Sequence, residues 1–377
     1  MVFTLAFRNL FHDRIRLVVT LVGILFSIVL VAVQLGLYLG ARKMIIGMID
    51  NAPAEIGMTS FGATSFEEAG VLTGRERHGA LAVEGVRTVV PLVASFAEWR
   101  KPQGGTTLSV VVGTDGGDGG LKPWNVIAGA IPDINAPDAI AVDRTYLADL
   151  GVSKVGDTAQ IESSRVRVAA MTDGIRSFTT APYVFTTLDR ARSIINMPRE
   201  QSTFLLVTLE PGASVERVRA GIKSSLAGAN IDVLTKDEFR DRSLDHWLFG
   251  TGAGIALIGG ALLGILVGTV IVAQTLYSST KDHLNEFATL RALGSSAGYI
   301  HRVILLQAAI SAASGYALGM VIAMVVVWFS QESALPIIMT PGLAAGLLLL
   351  TIGMCAISAF AAIVKVTRID PAMVFAR

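Results

Sequence analysis

Four long stretches of the chain carry no charged side chain, and they dominate its pattern of hydrophobic and polar positions. They cover residues 17–39, 249–277, 303–330 and 333–364. At about 1.5 Å per residue, some 20 apolar residues are enough to cross roughly 30 Å of hydrocarbon. The pattern therefore predicts four transmembrane helices, one before and three after a long segment of mixed polarity.

The segment of residues 40–248 has the alternation of a folded domain. Runs rich in β-branched residues predict strands at residues 87–93, 107–112, 140–142, 165–169 and 204–208, with glycine and proline between them. Near its end, a strand at 204–208, a helix at 214–226 and a strand at 231–234 form a predicted β-α-β module. The predicted fold class is an α-helical membrane protein with a 1+3 arrangement of spans and a large α+β domain.

Basic residues near the spans predict the orientation. They occupy the N-terminal amphipathic segment 1–16, the loop 278–302 and the tail 365–377, whereas the loop 331–341 has neither lysine nor arginine. Because positive loops stay in the cytoplasm, both termini and the loop 278–302 are predicted to be cytoplasmic. The α+β domain is then extracytoplasmic, and the last span is predicted at residues 342–364.

Composition and motifs argue against chemistry within the chain itself. The chain is 52% hydrophobic and 16% charged, with a mean hydropathy of +0.59, and its net charge of +1 gives no reason to expect a nucleic-acid partner. The single cysteine, Cys355, excludes an internal disulfide, and there is no zinc-binding, nucleophile or Walker motif. We expect a non-enzymatic chain with no metal or cofactor of its own.

The spans also lack the charges that ion-coupled transporters place in the bilayer. Their polar residues are neutral ones such as Gln34, Gln274 and Gln307. The energy source is therefore expected to be a separate cytoplasmic ATPase.

Small residues recur at every fourth position in two of the spans. The second span has Gly252, Ala256, Gly260, Gly264 and Gly268, and the third has Gly315, Gly319 and Ala323. Such stripes let helix backbones approach closely in lipid. Packing within one bundle and packing against a second copy both remain open. Since four spans are few for a transport unit, we favour a homodimer.

The loop between the second and third spans has the pattern of an amphipathic helix. Ser279 and Asp282 form a start like a capping box, Phe287 and Leu290 belong to an apolar stripe, and Gly294 suits the C-cap. Such a helix either docks into a partner's groove or lies on membrane lipids.

The sequence of residues 285–294, Asn-Glu-Phe-Ala-Thr-Leu-Arg-Ala-Leu-Gly, resembles a family signature. It is similar to the E-[IF]-A-x-L-R-A-[LI]-G motif of the FtsX-like, MacB-type permeases of ABC transporters. Residues 5–10 and 368–375 resemble the DevC branch more narrowly. The resemblance implies that the helix couples to the ATPase subunit. The candidate coupling residues are Glu286, Phe287, Leu290, Arg291 and Gly294.

The resemblance further implies a homodimeric permease in the bacterial inner membrane that works by mechanotransmission. ATP and magnesium would be held by the partner ATPase. Relatives of the DevC type export lipid-like or other amphiphilic molecules with a periplasmic membrane-fusion adaptor and an outer-membrane channel. The alternative is a signalling or regulatory protein whose outer domain controls an extracytoplasmic partner such as a cell-wall hydrolase.

Overall fold

A computed structural model of the chain describes residues 2–115, 117, 119–283, 286, 289 and 295–367. It divides into two compact units. The first takes in Met1–Gly40, Ile255–Gln331 and Pro336–Arg377, and the second takes in Ala41–Gly254 and Glu332–Leu335.

The helices are α1 (Val2–His12), α2 (Arg14–Asn51), α3 (Gly74–Leu81), α4 (Leu147–Leu150), α5 (Leu188–Ile194), α6 (Val215–Ser225), α7 (Lys236–Leu244), α8 (Ala253–Asp282), α9 (Ala297–Ser330) and α10 (Pro341–Thr367). Among the described residues, α2, α8, α9 and α10 are the four that are long and apolar enough to cross a membrane.

All four of these helices extend beyond the predicted spans at one end or both. Helix α2 continues through residues 40–51, because no proline occurs there until Pro53 disfavours a helical residue before it. Helix α8 begins at Ala253 rather than at 249, since Gly252 adopts a φ of +80° and interrupts the helix. Helix α9 begins at Ala297 rather than at 303, after Ser296 in an extended cap conformation.

The strands are β1 (Ile56–Ser60), β2 (Val86–Arg100), β3 (Thr106–Thr114), β4 (Val126–Gly129), β5 (Ala139–Asp143), β6 (Thr158–Ile161), β7 (Ser164–Thr172), β8 (Tyr183–Thr187), β9 (Phe204–Leu209) and β10 (Ile231–Thr235). They form one mixed sheet in the order β10-β1-β9-β2-β3-β8-β5-β7-β4, with β6 paired to β2 and β7. All five strands predicted between residues 87 and 208 are confirmed, and each is longer than predicted.

The predicted β-α-β module is present as a split module. Strand β1 inserts between β9 and β10 and is antiparallel to both, so that Met58 lies opposite Leu205 on one side and Val233 on the other. Helix α6 covers this part of the sheet with Val218 and Ile222, which are buried in the same apolar cluster as Val207. Hydrophobic burial on this face holds the module together.

Candidate coupling site

The structure describes one of the five predicted coupling residues, Glu286. Its side chain is exposed, and its Oε2 lies 3.1 Å from Nδ1 of His283. Phe287, Leu290, Arg291 and Gly294 lie outside the described residues. Glu286 is therefore accessible at the start of the loop that the family signature occupies.

The predicted start of the coupling helix at Ser279 is wrong. Helix α8 continues without interruption to Asp282, and the Ser279 carbonyl accepts a hydrogen bond from the His283 amide at 3.2 Å. The Thr280 hydroxyl also donates to the Leu276 carbonyl at 2.7 Å, so this side chain bonds to the preceding turn of α8. Extending an existing helix costs much less than nucleating a new one, so a weak cap signal inside a polar turn does not start one.

An ion pair joins the beginning of α2 to the end of α8. The Arg16 guanidinium donates to the Asp282 carboxylate, and the same guanidinium lies 3.2 Å from Asp13. The pair is partly exposed, so its contribution to stability is at most about 1 kcal/mol. Its importance is geometric, because it fixes Asp282, which immediately precedes the coupling loop (residues 283–296, between α8 and α9). A separation of 266 residues gives no signal of this contact in the sequence.

Helix α1 contacts the helix that follows the coupling loop. Ala6 is fully buried in one apolar cluster with Ile300, Val303 and Ile304 of α9. The opposite side of α1 exposes Phe3, Phe7 and Phe11 as a stacked aromatic row, as expected of a helix at a membrane surface. The N-terminal segment thus contacts the chain just before and just after the coupling loop.

Glycines of α8 let it pack directly on α2. A Cβ atom built on Gly260 would lie 2.6 Å from Nε2 of Gln34, one on Gly264 would lie 3.1 Å from Leu30, and one on Gly268 would lie 2.5 Å from Ser27. The Ser27 hydroxyl also donates to the Gly264 carbonyl at 2.8 Å. Close backbone approach and an interhelical hydrogen bond are the usual means of holding helices together in lipid.

The glycines of α9 contact the same central helix. A Cβ atom on Gly315 would lie 2.5 Å from Ile24, and one on Gly319 would lie 3.0 Å from Ile28. These stripes therefore pack within one bundle, with α2 between α8 and α9. Gly252 differs from them, because it precedes α8 and has no heavy atom of the described chain within 4 Å of a built Cβ.

At its other end, α2 is tied to α7 within the α+β unit. Asp50 accepts from the Arg240 guanidinium, with Nε at 3.1 Å, and the Lys236 ammonium donates to the main-chain carbonyls of Asp50 and Ala52, each at 2.8 Å. The hydrogen bond to Asp50 raises the pKa of Arg240 above its ordinary value. These contacts fix the last turn of α2 against the segment that leads into α8.

No candidate metal centre accompanies these contacts. In the part of the chain that the structure describes, no group of three or more His, Cys, Asp or Glu side chains is arranged to hold a metal ion.

Comparison with known proteins identifies the two parts of the chain. A family described as "MacB-like periplasmic core domain" matches residues 17–225, and one described as "FtsX-like permease C-terminal" matches residues 258–371. An uncharacterized ABC transporter permease of Methanocaldococcus jannaschii is 22% identical over 173 residues. That alignment covers 45% of this chain and 42% of the relative, so it spans less than half of the relative's length.

Two solved structures are similar to the α+β domain. The periplasmic region of MacB from Actinobacillus actinomycetemcomitans has 9% identity and a TM-score of 0.38, covering 53% of this chain and 96% of that chain. The extracellular domain of YknZ, a noncanonic ABC-type transporter from Gram-positive bacteria, has 14% identity and a TM-score of 0.35, covering 48% of this chain and 99% of that chain. Because the first family match spans more than half of the chain and the second spans its last three membrane helices, the chain belongs to the FtsX-like, MacB-type permeases of ABC transporters.

Proposed function

We propose that this chain is the membrane subunit of an ABC transporter that works by mechanotransmission. A separate ATPase binds the loop 278–302 on the cytoplasmic side, where both termini lie, and its closure moves the extracytoplasmic domain. The substrate is a lipid-like or amphiphilic molecule exported from the bacterial inner membrane. A periplasmic adaptor and an outer-membrane channel complete the system, as in the DevC branch.

The observation that carries this proposal is the continuity of α2. Its 38 residues form one helix about 57 Å long, which contributes residues 14–40 to the membrane unit and 41–51 to the α+β unit. A continuous helix transmits displacement along its axis, because its hydrogen-bonded backbone resists compression. Arg16 at one end contacts Asp282 beside the coupling loop, and Asp50 at the other end contacts Arg240.

The charge distribution supports an external motor. The spans carry no Asp, Glu, Lys, Arg or His, so they offer no partner for a coupling ion, and the sequence has no Walker loop for ATP. ATP binding and hydrolysis are therefore assigned to the partner chain. We also assign a homodimer, since a symmetric pair of coupling loops matches the two nucleotide sites of an ABC ATPase dimer.

The test introduces a charge into the apolar stripe of the coupling loop, which is predicted to contact the ATPase. Leu290→Asp is expected to abolish stimulation of the partner ATPase, because it places a carboxylate in an apolar interface. The permease and its ATPase are co-expressed, purified and reconstituted, and ATP hydrolysis is measured with and without the permease variant.

Thr289→Asp is the matched control, since it places the same charge one residue away and outside the apolar stripe. It is expected to retain stimulation, and both variants are expected to insert into the membrane normally. Normal, substrate-responsive hydrolysis with Leu290→Asp would contradict the assignment of this loop to the ATPase.

A further inference from the structure

A polar cleft of about 590 Å³ lies in the α+β domain. It is lined by residues of α3 and α5, by the ends of β3 and β8, and by the segment that leads into β9. This volume is in the range of sites that hold small molecules. The basic residues that line it are Arg77, His78, Arg192 and Arg199.

The side chain of Arg192 is largely buried, and some of its N–H donors have no acceptor among the described residues. It is only 8% exposed, and its Nε donates to the Gln201 carbonyl at 2.8 Å. Its NH1 lies 3.7 Å from the Asp189 carboxylate, which is beyond hydrogen-bond distance. Within the described residues, no acceptor satisfies its two terminal nitrogens. Its terminal nitrogens are therefore available to an acceptor that enters the cleft.

Arg77 brings a second guanidinium to the same cleft. Its Nε donates to the Val89 carbonyl at 3.0 Å, which fixes the planar group and leaves the terminal nitrogens for other acceptors. Burial lowers the pKa of Arg192, while the Asp189 carboxylate opposes this change and the like charge of Arg77 adds to it. Both arginines line one cleft and are held by their Nε atoms, so their terminal nitrogens can donate to a carboxylate or a phosphate.

Three acidic residues also line the cleft, but all are exposed. The Asp189 side chain is 75% accessible, and Asp115 and Glu200 are likewise at the surface. Their charges are screened by water far more than the charge of the buried Arg192. They therefore reduce the positive potential of the cleft without filling its donors.

We propose that this cleft binds a small molecule that carries a phosphate or carboxylate group, and that the terminal nitrogens of Arg77 and Arg192 hold that group. The proposal does not rest on export or on the ATPase contact, since the site is built from residues of the α+β domain alone. Arg199 lines the same cleft and adds positive charge to it.

The experiment uses the purified full-length chain in detergent. Inorganic phosphate and citrate are titrated separately, against sodium chloride at equal ionic strength, by calorimetry and by the shift in thermal unfolding. We expect saturable binding of at least one anion with a Kd below about 1 mM. Saturation by phosphate alone or by citrate alone identifies which anion the site prefers.

Variants distinguish anion binding in the cleft from a general effect of positive charge. Arg77→Gln and Arg192→Gln are each expected to weaken binding at least about tenfold. Arg190→Gln is the matched control on the same helix, because Arg190 donates to the Arg165 carbonyl and does not line the cleft. Asp189→Asn is expected to tighten binding, since it removes an opposing charge.

Two results would overturn the proposal. One is the absence of any saturable signal beyond that of chloride. The other is unchanged affinity in Arg77→Gln, whose exposed side chain makes it the variant that folds even if Arg192→Gln does not.

Discussion

Among the described glycines of the membrane unit, Gly40 has the least room for a side chain. A Cβ atom built on it would lie 2.1 Å from the main-chain carbonyl oxygen of Pro336, and one on the neighbouring turn, at Gly36, would lie 2.4 Å from Ile337. The Ile338 amide donates to the Gly36 carbonyl at 3.0 Å. The loop between α9 and α10 thus lies directly on the backbone of α2.

Replacing Gly40 should therefore destabilise the membrane unit. Gly40→Ala is expected to cost about 1–3 kcal/mol, because a main-chain oxygen cannot move aside as a side chain can. Gly47→Ala is the matched control on the same helix. No described atom is near a Cβ built there, so the change should be neutral or stabilising by up to about 1 kcal/mol. Unfolding in detergent measures both, and equal effects would contradict this account.

Buried tyrosines give the α+β domain an alkaline limit. The Tyr183 hydroxyl donates to the buried Glu67 carboxylate, and burial raises its pKa well above the usual value. Burial likewise raises the pKa of Tyr146 to about 12. Since the folded state holds these protons more tightly than the unfolded state, stability is retained at neutral pH and lost as the pH rises above about 10.

For Tyr146 alone, this loss reaches about 1.4 kcal/mol by pH 11. Tyr146→Phe should reduce the slope of stability against pH above pH 10, whatever it does to stability at pH 7. The fluorescence of Trp99, which lies in the same buried cluster, reports unfolding across this range. An alkaline slope unchanged by Tyr146→Phe would show that other groups cause it.

At the scale of elements, the contact between α2 and α7 is the point where the proposed helix movement would reach the sheet. Lys236 follows β10 directly, so a shift of the last turn of α2 acts on an edge strand. The ion pair of Asp50 with Arg240 is partly exposed and contributes little to stability. Its removal should therefore affect coupling more than folding.

Asp50→Asn and Arg240→Gln are each expected to lower the maximal stimulation of the partner ATPase, while stability changes by less than about 1 kcal/mol. Asp237→Asn is the control, because Asp237 also contacts Arg240 at 2.8 Å but lies on α7 itself. The double variant should be no worse than either single one. Equal loss in Asp237→Asn would indicate a general effect of charge.

Elements with strong local patterns could be predicted from the sequence. The strand at residues 204–208 and the helix at 214–226 occur as β9 and α6, because their alternation and spacing are local properties. Strands β1, β4, β6 and β8 are not predicted from the sequence, whereas β5 and β10 are just as short and are predicted, so length alone does not explain the difference. Short strands take their stability from their neighbours in the sheet rather than from their own residues.

At the scale of the whole molecule, the order of the elements could be predicted and their partners could not. Parallel pairing of β3 with β8 joins Val112 to Phe185, and the ion pair of Arg16 with Asp282 joins α2 to α8. Neither contact has a sequence signal, because each depends on where distant segments meet.

Because α2 is one continuous helix, the number of residues in it sets the rotation of its last turn relative to its first turn. Each residue turns an α-helix by about 100°, so one alanine inserted after Gly40 rotates Asp50 by about 100° relative to Arg16. Four inserted alanines leave a net rotation of only about 40°. Stimulation of the partner ATPase should therefore be lost with one inserted alanine and partly regained with four. A loss of stimulation that grows steadily with the number of inserted residues would instead mean that the length of α2 matters rather than the rotation of its last turn.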